Sequence, residues 1–281
     1  KDYINYRLTG VMATDPSYAS GSGVYDLKRR EYAPRLIAAA GLDDSLFAGI
    51  VPSSQVLGGL TAAAATELGL PRSVRVVAGG VDNACMSLGA GAFREGRAYN
   101  ALGSSSWIAV SSENPLLAEG SRPYVFDHVV TGQYVSALAL FSAGTALSWV
   151  CDRLCRDLAA RAAAEGRSVY ALMDEEASAS PVGANGVMFN PSLAGGGSLD
   201  ACTAVRGAFL GLDLRHTRAD LLRACLEGIA LGLRNVLDEL RRLAPVAAPL
   251  TLVGGGANSP FWRQMFADAY HLPVVKTRAG Q

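Results

Sequence analysis

Net charge, histidine and paired cysteine are all scarce in this 281-residue sequence. Its 25 Lys and Arg are cancelled by 25 Asp and Glu, and only 18% of its residues are charged. A neutral balance gives no electrostatic footing for nucleic acid or an anionic membrane as partner. It leaves room for a small anionic ligand, because backbone amides at helix starts hold phosphate without net charge. The three histidines, His128, His216 and His271, stand far apart, and the five cysteines are odd in number. Cys151 and Cys155 lie four apart on an expected helix, but no second Cys or His pair completes a structural zinc site. The expectation is free thiols buried among apolar residues in a reducing cytosol, hence a cytoplasmic protein.

Long apolar runs are also lacking. The most apolar stretch, 134–150, is interrupted by Ser136, Ser142, Gly144, Thr145 and Ser148, which reads as a strand turning into a helix rather than a membrane span. No secretory signal opens the chain. It starts at Lys1 and stops at Gln281 just after a strand-like run, so both ends are expected to be cut. No solenoid-length repeat, Gly-x-Ser-x-Gly elbow or Walker-type Gly-x-x-x-x-Gly-Lys occurs.

What is present is apolar substance: 50% of residues are hydrophobic, enough for a sizeable core. Residues 1–72 read as helix and loop, with helices ending at Gly10, over 34–40 and over 57–68. The break at Leu70-Pro71-Arg72 predicts a boundary between a first domain, 1–72, and a second, 73–281. Beyond it strands alternate with helices: a strand at 74–78, a strand pair within 98–110, and a strand at 134–141 followed by a helix through Trp149 and Leu158. Leu222, Leu226, Ile229, Leu233 and Leu240 belong to a long helix of period 3.6 from Ala219 onward. A strand at 250–253, a helix at 259–270 and a strand at 273–276 complete an α/β sheet with helices on its faces.

Three strands end in turns of small residues, where open α/β sheets bind ligands. In Gly79-Gly80-Val81-Asp82-Asn83 the acid opens a helix, so it serves either as an N-cap, worth about 0.5–2 kcal/mol, or as a base aimed into a cleft. Gly103-Ser104-Ser105-Ser106 is either a plain hairpin turn or a phosphate cradle of hydroxyls and backbone N–H groups. Gly254-Gly255-Gly256-Ala257-Asn258-Ser259 nearly matches a dinucleotide fingerprint, with Ser259 in the last Gly position. No ribose-binding acid follows it, which argues against a dehydrogenase.

In combination these stretches resemble the FGGY carbohydrate kinases, and within them the xylulokinase group. Lys1 to Gly10, Thr14-Asp15 and Ala19-Ser20 are similar to the end of that family's first domain. Gly79 to Asn83 resembles the start of its second domain, with the catalytic Asp. Leu102 to Ser105 resembles a phosphate loop, Gly207 to Leu212 and Asp220 to Glu227 a downstream signature (Cys225 departing from it), and Gly254 to Gln264 an adenosine motif. The resemblance implies an actin-like, ribonuclease H-like fold in two lobes, the second largely present without its last helix and the first represented by its end. It implies ATP and Mg2+ as cofactors and a small-molecule sugar or polyol as substrate, with a homodimer compatible. Asp82 would be the base, with Asn83 beside it at the substrate. Gly103, Ser104 and Ser105 would hold phosphate, and Gly255, Gly256, Ala257 and Ser259 the adenosine. The family's Asp-Gly-Thr loop, which helps place magnesium, would lie upstream of Lys1. Where many members carry Gly-Glu-Arg-Thr-Pro, this sequence reads Ala194-Gly195-Gly196-Gly197-Ser198, which leaves the sugar open. A non-catalytic sensor with the same cleft is the competing reading.

Overall fold

The computed structural model describes residues 1–118, 120, 122–200 and 202–277. They form two compact units: Lys1–Glu95 with Ser111–Leu117 and Tyr124–Ser136, and Gly96–Val110 with Ala118–Pro123 and Ala137–Gln281.

The first unit is made of short elements: α1 (Asp2–Thr9), β1 (Ala13–Thr14), α2 (Pro16–Ala19), β2 (Tyr25–Asp26), β3 (Glu31–Tyr32), α3 (Pro34–Ala39), β4 (Gly49–Ile50), β5 (Val56–Gly59), α4 (Ala62–Leu68), β6 (Arg75–Val77) and α5 (Asp82–Gly89). Local chemistry sets the boundaries. Gly10, at φ 77°, closes α1 with its N–H on the Tyr6 carbonyl. Asp15 caps α2 ahead of Pro16, and Thr61 caps α4 by accepting from the Ala64 N–H. The helix expected over 57–68 therefore starts later. Val56–Gly59 is a strand paired antiparallel with β6, since two glycines resist helix and Thr61 fixes the start. The first unit also runs past the Leu70-Pro71-Arg72 break to Glu95, so the Asp82 turn belongs to it.

The chain continues with β7 (Arg97–Leu102), β8 (Ser106–Ser112), β9 (Tyr124–Asp127, in the first unit) and β10 (Tyr134–Leu140). Then come α6 (Gly144–Leu154), α7 (Arg156–Glu165), α8 (Val169–Ala177), β11 (Met188–Asn190), β12 (Ala208–Leu210), α9 (Arg218–Leu243), β13 (Ala247–Val253), α10 (Pro260–Tyr270) and β14 (Val274–Lys276). In the second unit the strands neighbour one another in the order β14-β13-β7-β8-β10. β13 runs parallel to both β14 and β7, and β8 antiparallel to β7. The expected strand pair thus forms, with 103–105 as its turn. α9 buries Leu222, Leu226, Ile229, Leu233, Leu237 and Leu240 along one stripe and packs on β11, α8 and α10.

The single helix expected through Leu158 is two, because Cys155, fully buried at φ −127°, interrupts it; Arg218 donates to the Leu154 carbonyl at 3.3 Å. α8 carries the helical spacing Val169, Leu172, Met173, Ala177, which sequence reading passed over. The cysteines also divide differently from expectation: Cys151, Cys155 and Cys225 are buried free thiols, whereas Cys85 and Cys202 are exposed. Among the described residues no helix is long and apolar enough to cross a membrane.

Candidate functional site

In the first unit, the turn between β6 and α5 presents Asp82 as the first helical residue. Val81, not Asp82, is the N-cap, and Asp82 Oδ1 accepts the N–H of the next residue, Asn83, at 2.7 Å. The capping role open at the sequence level is therefore not the one Asp82 fills, because a cap must reach the N–H two or three residues on. Its carboxylate is exposed and Asn83 is half-buried.

The turn itself is fastened from several sides. The Ala78 carbonyl accepts from the Asn5 amide at 2.8 Å and from Lys1 Nζ at 3.3 Å. The N–H groups of Ala78 and Gly79 donate to the carbonyls of Gln55 and Ser53, each at 2.9 Å. The Val81 N–H donates to Ser17 Oγ at 2.9 Å. Gly79 sits at φ +70°, where the backbone path favours glycine, whereas a Cβ on Gly80 would stand 2.1 Å from Val129 Cγ1 and be crowded by that side chain.

In the second unit a cavity of about 660 Å³ opens beside the ends of β7 and β13, within the range of small-molecule clefts. Gly103 and Ser104 line it from the hairpin turn, and Gly255, Gly256 and Ser259 from the turn after β13. Two glycine turns far apart in sequence are thereby brought to one space. Ser105 and Ala257 do not line it; Ala257 is buried beneath its turn. Gly254 takes φ +92°, and a Cβ there would meet the Leu102 carbonyl at 2.6 Å, whereas a Cβ on Gly255 would meet nothing within 4 Å. Only glycine lets β13 end against β7 here, while Gly255 leaves space for a ligand.

The hairpin turn also braces α6. The N–H groups of Gly144 and Thr145 donate to the carbonyls of Gly103 and Ser104, both at 3.0 Å, so these two helix-start donors are already engaged. A Cβ on Gly144 would lie 2.3 Å from the Gly103 carbonyl. Sequence reading missed Tyr170 and Asp174 of α8 as walls and read Leu222 and Leu226 of α9 only as helix positions, while Trp262 of α10 lies within the 254–264 stretch it had singled out. Among the described residues that line the cavity none is Lys or Arg, and Asp174 is the one carboxylate. Burial pushes the Asp174 carboxyl up, with a hydrogen bond from Ser259 pulling the other way. Ser259 Oγ in turn accepts the Trp262 N–H at 2.9 Å and so caps α10.

The apolar walls, the glycine floor and the hydroxyls of Ser104 and Ser259 fit a nucleotide of ATP's size and chemistry. A magnesium ion finds less: among the described residues no three His, Cys, Asp or Glu side chains gather closely enough to hold a metal ion.

Comparison with known proteins adds the following. The model of the FGGY family of carbohydrate kinases, C-terminal domain, matches residues 98–281, and that of the N-terminal domain matches residues 1–89. The xylulose kinase of Bacillus subtilis (strain 168) is 30% identical over 281 residues, all of this chain and 54% of the relative. The autoinducer-2 kinase of Enterobacter sp. (strain 638) is 30% identical over 97% of this chain and 52% of its own length. The crystal structure of xylulose kinase from Rhodospirillum rubrum superposes with a TM-score of 0.86 at 31% identity, covering 99% of this chain and 55% of that one. The chain spans about half the length of the relatives it matches.

Proposed function

Since this chain belongs to the FGGY family of carbohydrate kinases and has their actin-like ATPase fold, we propose that the whole protein phosphorylates a sugar hydroxyl with ATP, the sugar being a ketopentose such as xylulose. The observation that carries the reading is the cavity of the second unit, where Gly103 and Ser104 meet Gly255, Gly256 and Ser259. Its open glycine surface allows backbone N–H groups to approach phosphate oxygens, and its apolar walls accept a purine. ATP supplies the transferable phosphoryl group when bound.

Asp82 has the role of general base. Its exposed carboxylate withdraws the proton from the substrate hydroxyl, a contribution on the order of 10²- to 10⁴-fold in rate, and Asn83 stands beside it to orient that hydroxyl. The hydroxyl of Ser104, beside the open surface of Gly103, holds phosphate oxygens, and Gly255, Gly256 and Ser259 hold the adenosine. Positioning of this kind, together with charge stabilisation, supplies most of the catalysis in phosphoryl transfer.

The test is sugar-dependent ADP release by the whole protein across pentuloses, hexuloses and polyols, for wild type and Asp82→Asn. We expect turnover with one sugar class and a loss of about 10²-fold or more in kcat for the variant. Full activity in Asp82→Asn would remove the base. Nucleotide binding without turnover on any sugar would leave a binding protein instead.

A further inference from the structure

The network behind Asp82 has a definite direction. Asp15 is fully buried, as is Ser17, and Ser53 is nearly so. The hydroxyls of Ser17 and Ser53 both donate to Asp15 Oδ2, at 2.5 and 2.7 Å, and Lys1 Nζ lies 3.1 Å from Oδ1. An ionised carboxylate only accepts. Ser17 has one proton, and Asp15 takes it, so the Ser17 oxygen is left facing the Val81 N–H as acceptor at 2.9 Å. Val81 is the N-cap of α5 and Asp82 the residue after it. The same Ser17 oxygen would lie 3.0 Å from a Cβ on Gly80, so the turn is seated directly on this hydroxyl.

We infer that Ser17, its proton fixed by Asp15, is a positioning residue for phosphoryl transfer: it holds the Val81 amide and through it sets the place of the Asp82 carboxylate. The proposal rests on the reading of Asp82 as base. Ser17 touches no substrate. Its effect is on geometry, and a displacement of about 1 Å at a reacting group costs on the order of 10²-fold in rate.

A double-mutant cycle in the whole protein tests it, with kcat and KM for ATP and for the sugar read together. Ser17→Ala is expected to lower kcat by about 10- to 100-fold while KM for ATP stays within about twofold. In an Asp82→Asn background the same substitution is expected to change the residual kcat by less than about twofold, because the group that Ser17 places is gone. Equal fractional losses in both backgrounds would mean that Ser17 acts apart from Asp82, and would overturn the proposal. So would a Ser17→Ala enzyme at wild-type turnover beside an inactive Asp82→Asn. Wild-type turnover in Asp82→Asn overturns the base itself, and the proposal with it. If Ser17→Ala does not fold, Ser17→Cys, which keeps the side-chain shape at a small increase in volume and weakens the acceptor, replaces it in the cycle, and the same losses support or overturn the proposal.

Discussion

Asp174 and Asp220 are carboxylates of the same unit pushed in opposite directions. Burial raises the Asp174 carboxyl. Its ionised form is penalised in the folded state, and the penalty is relieved as pH falls through the raised value towards the unfolded one near ~3.9. Asp174→Asn should therefore melt higher than wild type at pH 7, by about 1–2 °C, with the gap closing on acidification. Asp220 is held well below the usual carboxylate range by hydrogen bonds from Ser180, the Thr217 N–H and hydroxyl, and Asn185. Its contribution is complete above the unfolded value and is lost as pH falls through the depressed one. Asp220→Ala removes the capping box of α9 and leaves the buried Ser180 hydroxyl without its acceptor. Chemical denaturation at neutral pH should show a loss of about 2–4 kcal/mol.

Among the secondary-structure elements, α9 and the turn after β13 show how a glycine is explained by what approaches it. Gly228 lies mid-helix, where glycine costs about 1 kcal/mol relative to alanine. A Cβ there would meet the Phe189 carbonyl of β11 at 2.1 Å. Gly228→Ala should thus destabilise by about 1–3 kcal/mol in urea unfolding despite its better helix propensity. Gly255→Ala is the opposite case, since its Cβ would meet no protein atom within 4 Å. Its thermal midpoint should stay within about 2 °C of wild type while KM for ATP rises several-fold, the methyl taking ligand space. An unchanged KM would move the nucleotide away from that turn.

For the molecule as a whole, the acid turn and the glycine cavity belong to different compact units. The two functions should separate by mutation. Asp82→Asn should lower turnover by about 10²-fold or more yet bind a non-hydrolysable ATP analogue within about twofold of wild type in calorimetry, a difference below ~0.5 kcal/mol. Ser104→Ala should raise KM for ATP and leave KM for the sugar unchanged.

Sequence alone determined the local features: the Gly10 stop, the 3.6-residue stripe of α9, the strand–glycine–helix punctuation around Asp82 and after β13, and the family to which their combination points. Each depends on residues within a few positions of one another, where backbone sterics and hydrophobic period dictate the outcome. Tertiary structure decided what distant residues do together. Lys1, Asn5, Asp15, Ser17 and Ser53 close around the 78–81 turn, and α8 brings Tyr170 and Asp174 to the glycine turns. It also decided that Cys155 breaks a helix and that Asp82 follows the cap. Buried donors and acceptors must find partners wherever the fold supplies them. The residues that meet this need for a turn lie in other segments, which no local spacing identifies.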